Sequence, residues 1–290
     1  MASFPATDKQ RPPEPPPMTP KIDVPQVQAL LRDVGQSLLQ TFNTQNPIYE
    51  NAEMMRVFKS LDDQAANTIR EALAARYPEI AWLEGELAEA DAQTSDKKAF
   101  WICDAIDGAV QFLRSIASWC ITIALVEEGV TVFAMTYDAI RNECFHAVRD
   151  EGAFLNGDRI AVNGRKHHAG AMLATSQPPF IGNKPAVVEA AGESLSAMLA
   201  KAGAVRNLGP TSLQLAYVAC GRLDGFWEFG EDTFNCVAGA LLVEMAGGRA
   251  TNAIGEPYGL KSASIVAASS GVSESIIETF AAHPRLTRAA

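Results

Sequence analysis

Apolar residues recur every three or four positions in the first patterned part of the chain. That spacing places side chains on one face of an α-helix. It predicts an amphipathic helix whose apolar face packs on the rest of the protein. The positions that share the spacing are Val27, Leu30, Leu31, Val34, Leu38 and Phe42.

A second helix is predicted to begin at Asp62-Asp63, because aspartate is a favoured N-cap residue. Ile69 and Leu73 would face inward from this helix. Tyr77-Pro78 would end it, since a proline cannot continue a regular helix.

Strands dominate the next part of the chain and alternate with helices after about residue 171. Short runs of apolar and β-branched residues predict strands at 80–83, 99–103, 120–126, 130–137 and 143–148. Later strands are predicted at 172–175, 205–208, 225–228 and 264–268, with helices at 186–201, 211–220, 233–245 and from Ser273. This change from successive strands to alternating strands and helices predicts an α/β fold in which two packed sheets are interleaved with helices.

The same patterns divide the chain into three segments. Residues 1–22 are rich in proline, including Pro15-Pro16-Pro17, and we expect a disordered leader there rather than a proline-motif ligand. Residues 23–168 are expected to form an N-terminal α+β half. Residues 169–290 are expected to form a C-terminal α/β half.

Composition and charge narrow the class of partners. The formal net charge is −10, which argues against nucleic acid as a partner. The five cysteines form no CxxC pair, so buried free thiols in a reducing compartment are expected rather than disulfides or a zinc site. We see neither a signal-peptide pattern nor an apolar run long enough to span a membrane. A cytoplasmic protein without a membrane partner is therefore expected.

Two carboxylates, Asp104 and Asp107, follow the apolar strand predicted at 99–103. Gly108 comes next, and residues 109–113 can begin a helix. A strand end, two carboxylates and a helix start would place metal ligands beside backbone N–H groups that can hold a phosphate. Taken alone, such a fragment is more often a solvated turn with an aspartate N-cap.

The surrounding residues point to a known family. The inositol monophosphatase family has the signature W-x-x-D-P-I-D-G-T-x-N-F, which residues 101–112, W-I-C-D-A-I-D-G-A-V-Q-F, resemble. Three other family motifs have counterparts here: G-E-E at Gly85-Glu86-Leu87, G-A-F-x-N-G at 152–157, and W-D-x-A-A-G at 234–239. Residues 245–248 stand at the place of its E-A-G-G, with Met245 for the glutamate. The order of motifs agrees from about residue 24 to residue 283.

The resemblance implies a fold, a chemistry and a metal site. The family fold is an α-β-α-β-α layered sandwich of the sugar-phosphatase type, and its members commonly form dimers. The implied activity is Mg²⁺-dependent hydrolysis of a small phosphorylated polyol or sugar by a homodimeric phosphoric monoester hydrolase. The implied Mg²⁺ ligands are Glu86, Asp104, the Ile106 carbonyl, Asp107 and Asn235.

The resemblance also implies roles around the reacting phosphate. Glu86, Asp104 and Asp62 are the implied catalytic residues, with Asp62 helping to orient the attacking water. The positions that would contact the substrate are Gly108, Ala109, Gly209 and Glu228.

Three of the departures from the family pattern affect the attacking water, the metal or the surroundings of the metal. Ala109 replaces the threonine whose hydroxyl holds the attacking water, and losing such a contact typically costs roughly 10²–10⁴-fold in rate. Asn235 replaces an aspartate, so this position supplies no charge to a metal, although Asp232 or Glu231 stands in the same loop. Leu87 replaces the second glutamate of G-E-E.

The departures leave two hypotheses for the activity. The first is a working phosphatase with one strongly bound metal, acting on an inositol or sugar phosphate. Its substrate could equally be a nucleotide 3′-phosphate, fructose bisphosphate or histidinol phosphate. The second is a catalytically depleted family member that serves as a binding or regulatory protein.

Overall fold

The first helix is the one that the apolar spacing predicts. The computed structural model describes residues 21–83, 98–178 and 181–289, and the predicted proline-rich leader lies almost wholly outside them. Helix α1 spans Val24–Thr44 and buries Leu31 and Leu38. The carboxylate of Asp23 accepts the amide N–H of Gln26 and caps the helix.

The second helix begins earlier than predicted. Helix α2 spans Asn51–Arg76, and the side chain of Glu50 caps it by accepting the amides of Ala52 and Glu53. Asp62 therefore lies in the middle of α2, and its prediction as an N-cap was wrong. Residues 51–61 contain neither glycine nor proline, so nothing in them interrupts the helix. The predicted end at Tyr77 is confirmed.

The first sheet has its seven strands in chain order. They are β1 Ala81–Trp82, β2 Ala99–Asp107, β3 Cys120–Glu127, β4 Val130–Asp138, β5 Glu143–Val148, β6 Gly152–Leu155 and β7 Asp158–Arg159. β1 pairs with β2 in parallel, and every later neighbour is antiparallel. Strand β2 does not end at residue 103 as predicted but continues through Asp107.

The second sheet has the order β11-β12-β10-β8-β9. Its strands are β8 Met172–Ser176, β9 Ala204–Arg206, β10 Gly225–Phe229, β11 Arg249–Thr251 and β12 Ser264–Ala268. The central strand β10 runs parallel to β8 and antiparallel to β12. The other α-helices of the described residues are α3 Ala109–Leu113, α4 Pro185–Leu199, α5 Thr211–Ala219, α6 Thr233–Met245, α7 Ser270–Ala281 and α8 Pro284–Arg288.

Helices and sheets alternate as five layers. Adjacent strand residues point to opposite faces of a sheet, so Trp101 packs with α1 and α2 while Ile102 packs with α5 and α6. Helices α5 and α6 lie between the sheets and are buried on nearly all sides. Trp227 faces the other way, against α4 and α7. The predicted α-β-α-β-α sandwich is confirmed.

The composition led to two expectations, one about the cysteines and one about membrane-spanning segments. All five cysteines are free thiols. Within residues 21–83, 98–178 and 181–289, no helix has the length and apolar character needed to cross a bilayer.

Candidate metal centre

A bulge in β2 shapes the centre of the site. Asp104 pairs with Thr122 of β3, but Asp107 pairs with Cys120, so three steps on β2 oppose two on its partner. Residues three apart on a regular strand point to opposite faces, and one extra residue reverses that alternation. Asp107 therefore comes close enough to Asp104 for its charge to raise the pKa of Asp104.

Backbone N–H groups hold both carboxylates in place. Oδ1 of Asp104 accepts the amide of Ile106 at 3.0 Å, within the bulge itself. Oδ2 of Asp107 accepts the amide of Ser212 at 2.9 Å. Ser212 lies in the first turn of α5, so this bond joins the first sheet to the helical layer beneath it.

The acidic side chains of the centre are buried and close enough to repel one another. Burial raises the pKa of Asp104 and Glu228 well above the ordinary range, and it raises that of Asp107 to about 7. The charge of Asp232 adds to the rise at all three positions. Among the groups that dominate these pKa values in the described chain, none is a basic side chain. Ionised together, these carboxylates require a cation.

The pKa of Asp107 predicts how the stability of the metal-free protein depends on pH. Its ordinary value is 3.8 and burial raises it to about 7, so the native state holds a proton that the unfolded chain has lost. That stabilisation is fully present below about pH 4 and is lost as the pH rises through about 7. Between about pH 5 and about pH 8, wild type should lose about 2–3 kcal/mol more than Asp107→Asn.

Urea denaturation of both proteins in EDTA measures this difference. The asparagine keeps the shape of the side chain and an oxygen that can accept the Ser212 amide. Equal pH slopes for the two proteins would contradict a protonated Asp107 in the native state.

The predicted substrate-binding positions lie around this centre. Gly108 (φ 98°) and Gly209 (φ 119°) both have a left-handed backbone. A Cβ on Gly108 would lie 2.8 Å from Cγ of Pro210, so the turn after β2 contacts the loop before α5. Glu228 of β10 is buried, and its Oε2 accepts the hydroxyl of Thr211 at 3.0 Å. This hydrogen bond ties the second sheet to the start of α5.

Asn235 lies next to the centre, because its backbone carbonyl accepts the hydroxyl of Ser212 at 3.0 Å. Its Nδ2 donates to Oδ1 of Asp232 at 2.8 Å, which fixes the orientation of the amide. Its Oδ1 is buried and has no hydrogen-bond partner among the described residues. Leaving a buried carbonyl-type oxygen unpaired is costly, and such an oxygen is a suitable ligand for a hard cation. The side chain therefore fits a metal, although it brings no charge.

Asn235→Asp should make the stability of the fold depend on bound metal. The substitution places a second carboxylate against Asp232 where an N–H now donates, and we expect a loss of about 1–3 kcal/mol in EDTA. Millimolar Mg²⁺ should restore most of that loss, as measured by thermal unfolding.

Asn163→Asp is the matched control. Asn163 makes a similar pair with Asp224, with 2.7 Å between Nδ2 and Oδ1, outside the centre. Mg²⁺ should not rescue this variant. Equal rescue of both variants, or of neither, would contradict a metal position at Asn235.

The other predicted residues fall in different places. Glu86 and Leu87 lie outside the described residues. Asp62, in the middle of α2, has its pKa raised to about 6 by burial and by the charge of Asp63. Its own charge helps to raise the pKa of Asp104, so it lies near the centre. Ala109 is the first residue of α3, which packs against α2.

Sequence reasoning did not single out Ser212 or Cys120. Ser212 is separated from Asp107 by 105 positions, and a serine at the start of a helix is too common to be a signal. The Cys120 thiol contacts Oδ2 of Asp107 at 4.0 Å. Its position opposite Asp107 follows from the register of β2 and β3, which the bulge sets.

Known proteins are similar to this chain over most of its length. The inositol monophosphatase family model matches residues 21–285. The chain is 33% identical over 262 residues to the Nus factor SuhB of Pseudomonas aeruginosa, covering 89% of this chain and 96% of that protein. It is 34% identical over 218 residues to an inositol-1-monophosphatase of Rhizobium meliloti, covering 75% and 80%. The extragenic suppressor protein suhB of Bartonella henselae superposes with a TM-score of 0.74 at 27% identity, covering 88% of this chain and 98% of that one.

Proposed function

This chain belongs to the inositol monophosphatase family, and from that premise we propose that it hydrolyses the phosphate monoester of a small polyol or sugar with the help of Mg²⁺. The names of its relatives include both inositol-1-monophosphatase and Nus factor SuhB.

The buried Asp104–Asp107 pair carries the proposal. Both carboxylates are held by backbone amides, and burial together with mutual repulsion raises the pKa of Asp104. A structural ion pair would place a basic partner there. An acidic pair near Asn235, whose buried Oδ1 has no hydrogen-bond partner among the described residues, suits a divalent cation instead.

Each proposed residue has a distinct task. Asp104, Asp107 and the Ile106 carbonyl would hold Mg²⁺, together with Glu86. The bound ion neutralises phosphate oxygens and lowers the pKa of water. The backbone of Gly108 and Ala109 would hold phosphate oxygens.

Two further side chains would act on water and on the sugar. Asp62, with a pKa raised to about 6, is suited to orient a water and accept its proton near neutral pH. Glu228 would bind hydroxyls of the polyol.

A substrate panel tests the proposal. Purified protein is assayed for inorganic phosphate release from inositol 1-phosphate, sugar phosphates, fructose bisphosphate, a nucleotide 3′-phosphate and histidinol phosphate. We expect release from at least one polyol or sugar phosphate at millimolar Mg²⁺ and its loss in EDTA. No release from any compound at millimolar Mg²⁺ would refute a working phosphatase.

A catalytically depleted binding or regulatory protein is the second candidate function. Ala109 favours it, because its methyl group cannot hold a water by hydrogen bonding. A titration of thermal stability with Mg²⁺ tests whether the site binds the ion, because a ligand that binds the native state raises the melting temperature. Dimerisation, a cytoplasmic location and the lack of a nucleic-acid partner stay predictions for either candidate.

A further inference from the structure

A second group of possible ligands lies beside the proposed Mg²⁺ position. Glu228 is in β10, Asp232 precedes α6, and Cys236 is in the first turn of α6. One ligand atom from each lies within 4.8 Å of the other two. Asp232 and Cys236 are four residues apart, a spacing that brings two side chains to the same side of a helix start.

Glu228 supplies an independent sign of a missing partner. Its side chain is 1% exposed, and Oε2 accepts the Thr211 hydroxyl at 3.0 Å. Oε1 is buried and accepts no hydrogen bond from an N–H group of the described residues, and the neighbouring Asp232 carboxyl group raises the pKa of Glu228. A buried carboxylate oxygen without a partner is costly, so a cation or a proton must satisfy it.

The donor set distinguishes this group from the Asp104–Asp107 centre. It combines two carboxylates with a thiol that is 2% exposed. Thiolate ligands favour Zn²⁺ and similar cations, whereas Mg²⁺ takes oxygen ligands almost exclusively. We propose that Glu228, Asp232 and Cys236 form a binding site for one thiophilic divalent cation of the Zn²⁺ class.

Binding at this site exchanges a proton for the metal. The S–H bond of Cys236 breaks, its proton goes to the solvent, and a sulfur–metal bond forms. Three protein ligands leave the fourth position of a tetrahedral ion to water. Occupancy would also engage Glu228, the side chain that the proposed function assigns to substrate hydroxyls.

Co²⁺ titration of the full-length protein tests the site without any assay of phosphate release. Protein stripped with a chelator is titrated with Co²⁺ under reducing conditions, and the near-ultraviolet spectrum is recorded. We expect a thiolate-to-cobalt charge-transfer band that Zn²⁺ abolishes by displacement and that excess Mg²⁺ leaves unchanged. Cys236→Ser should lose this band and bind Zn²⁺ more than about tenfold more weakly.

Cys144→Ser is the matched control. Its thiol is also fully buried, but the charged group acting on it is Arg32 rather than a carboxylate. This variant should keep the band and the Zn²⁺ affinity of the wild type. If Cys236→Ser does not fold, Asp232→Asn replaces it and should also bind Zn²⁺ more than about tenfold more weakly.

Three results would overturn the inference. One is a wild-type protein that shows no thiolate band at saturating Co²⁺. Another is a band that persists in Cys236→Ser. The third is a band that disappears in Cys120→Ser instead, which would place the metal beside Asp107. None of these results depends on whether the chain hydrolyses phosphate esters.

Discussion

Asp104→Asn is expected to lower kcat/KM for Mg²⁺-dependent phosphate release by at least about 10³-fold. The substitution removes a charge from the metal position but keeps an oxygen that can accept the Ile106 amide. It should also stabilise the metal-free protein at neutral pH by about 1–2 kcal/mol, because a buried and repelled carboxylate is removed. Activity and stability would thus change in opposite directions.

That pattern separates a lost ligand from a damaged fold. Phosphate release is measured over a range of Mg²⁺ concentrations, and stability is measured by urea denaturation in EDTA. Asp158→Asn, at an exposed position of β7, should change neither quantity. A loss of activity accompanied by a loss of stability would contradict the assigned role of Asp104.

Ala109→Thr combined with Asn235→Asp is expected to raise kcat/KM by about 10²–10⁴-fold in a protein whose turnover is limited by water positioning. The threonine hydroxyl would give the water a fixed contact at the start of α3. Helix α2, which carries Asp62, packs against α3. The aspartate would restore a charged ligand where Asn235 now presents an amide oxygen.

Ala109→Val in the same Asn235→Asp background is the control, because valine matches the shape of threonine but has no hydroxyl. The valine variant should show no gain beyond that of Asn235→Asp alone. A large gain for threonine from a silent parent would support a depleted wild-type site. A wild type that is already fully active would refute depletion.

Helices with a regular apolar spacing were predictable from the sequence, and one error in their bounds was avoidable. The helix predicted at 233–245 is α6 with the same bounds. The start of α2 was missed, although Met54, Phe58 and Leu61 continue the spacing of Ile69 and pack on the same core. The aspartate pair at residues 62 and 63 was a weaker signal than this apolar stripe.

Residues of the candidate site were predictable only where they belong to a local sequence motif. Asp104 and Asp107 stand in such a motif, and its resemblance to the family signature is enough to predict them as metal ligands. The bulge between them depends on how β2 pairs with β3, and strand pairing is not encoded in either strand alone. The contacts of Glu228 with Thr211 and of Asp107 with Ser212 join distant segments, which no local pattern could indicate.

The hydrogen bond from the Ser212 amide to Asp107 has a consequence for the order of folding. It closes a loop of 105 residues, and contacts of such separation form late because loop-closure entropy must first be overcome. The acidic centre is therefore completed only when the first sheet and α5 have docked. A cation that needs the finished centre cannot guide the early collapse of the chain. Such a cation would act on the native state by slowing its unfolding, so metal occupancy would set the lifetime of the fold rather than the speed of its formation.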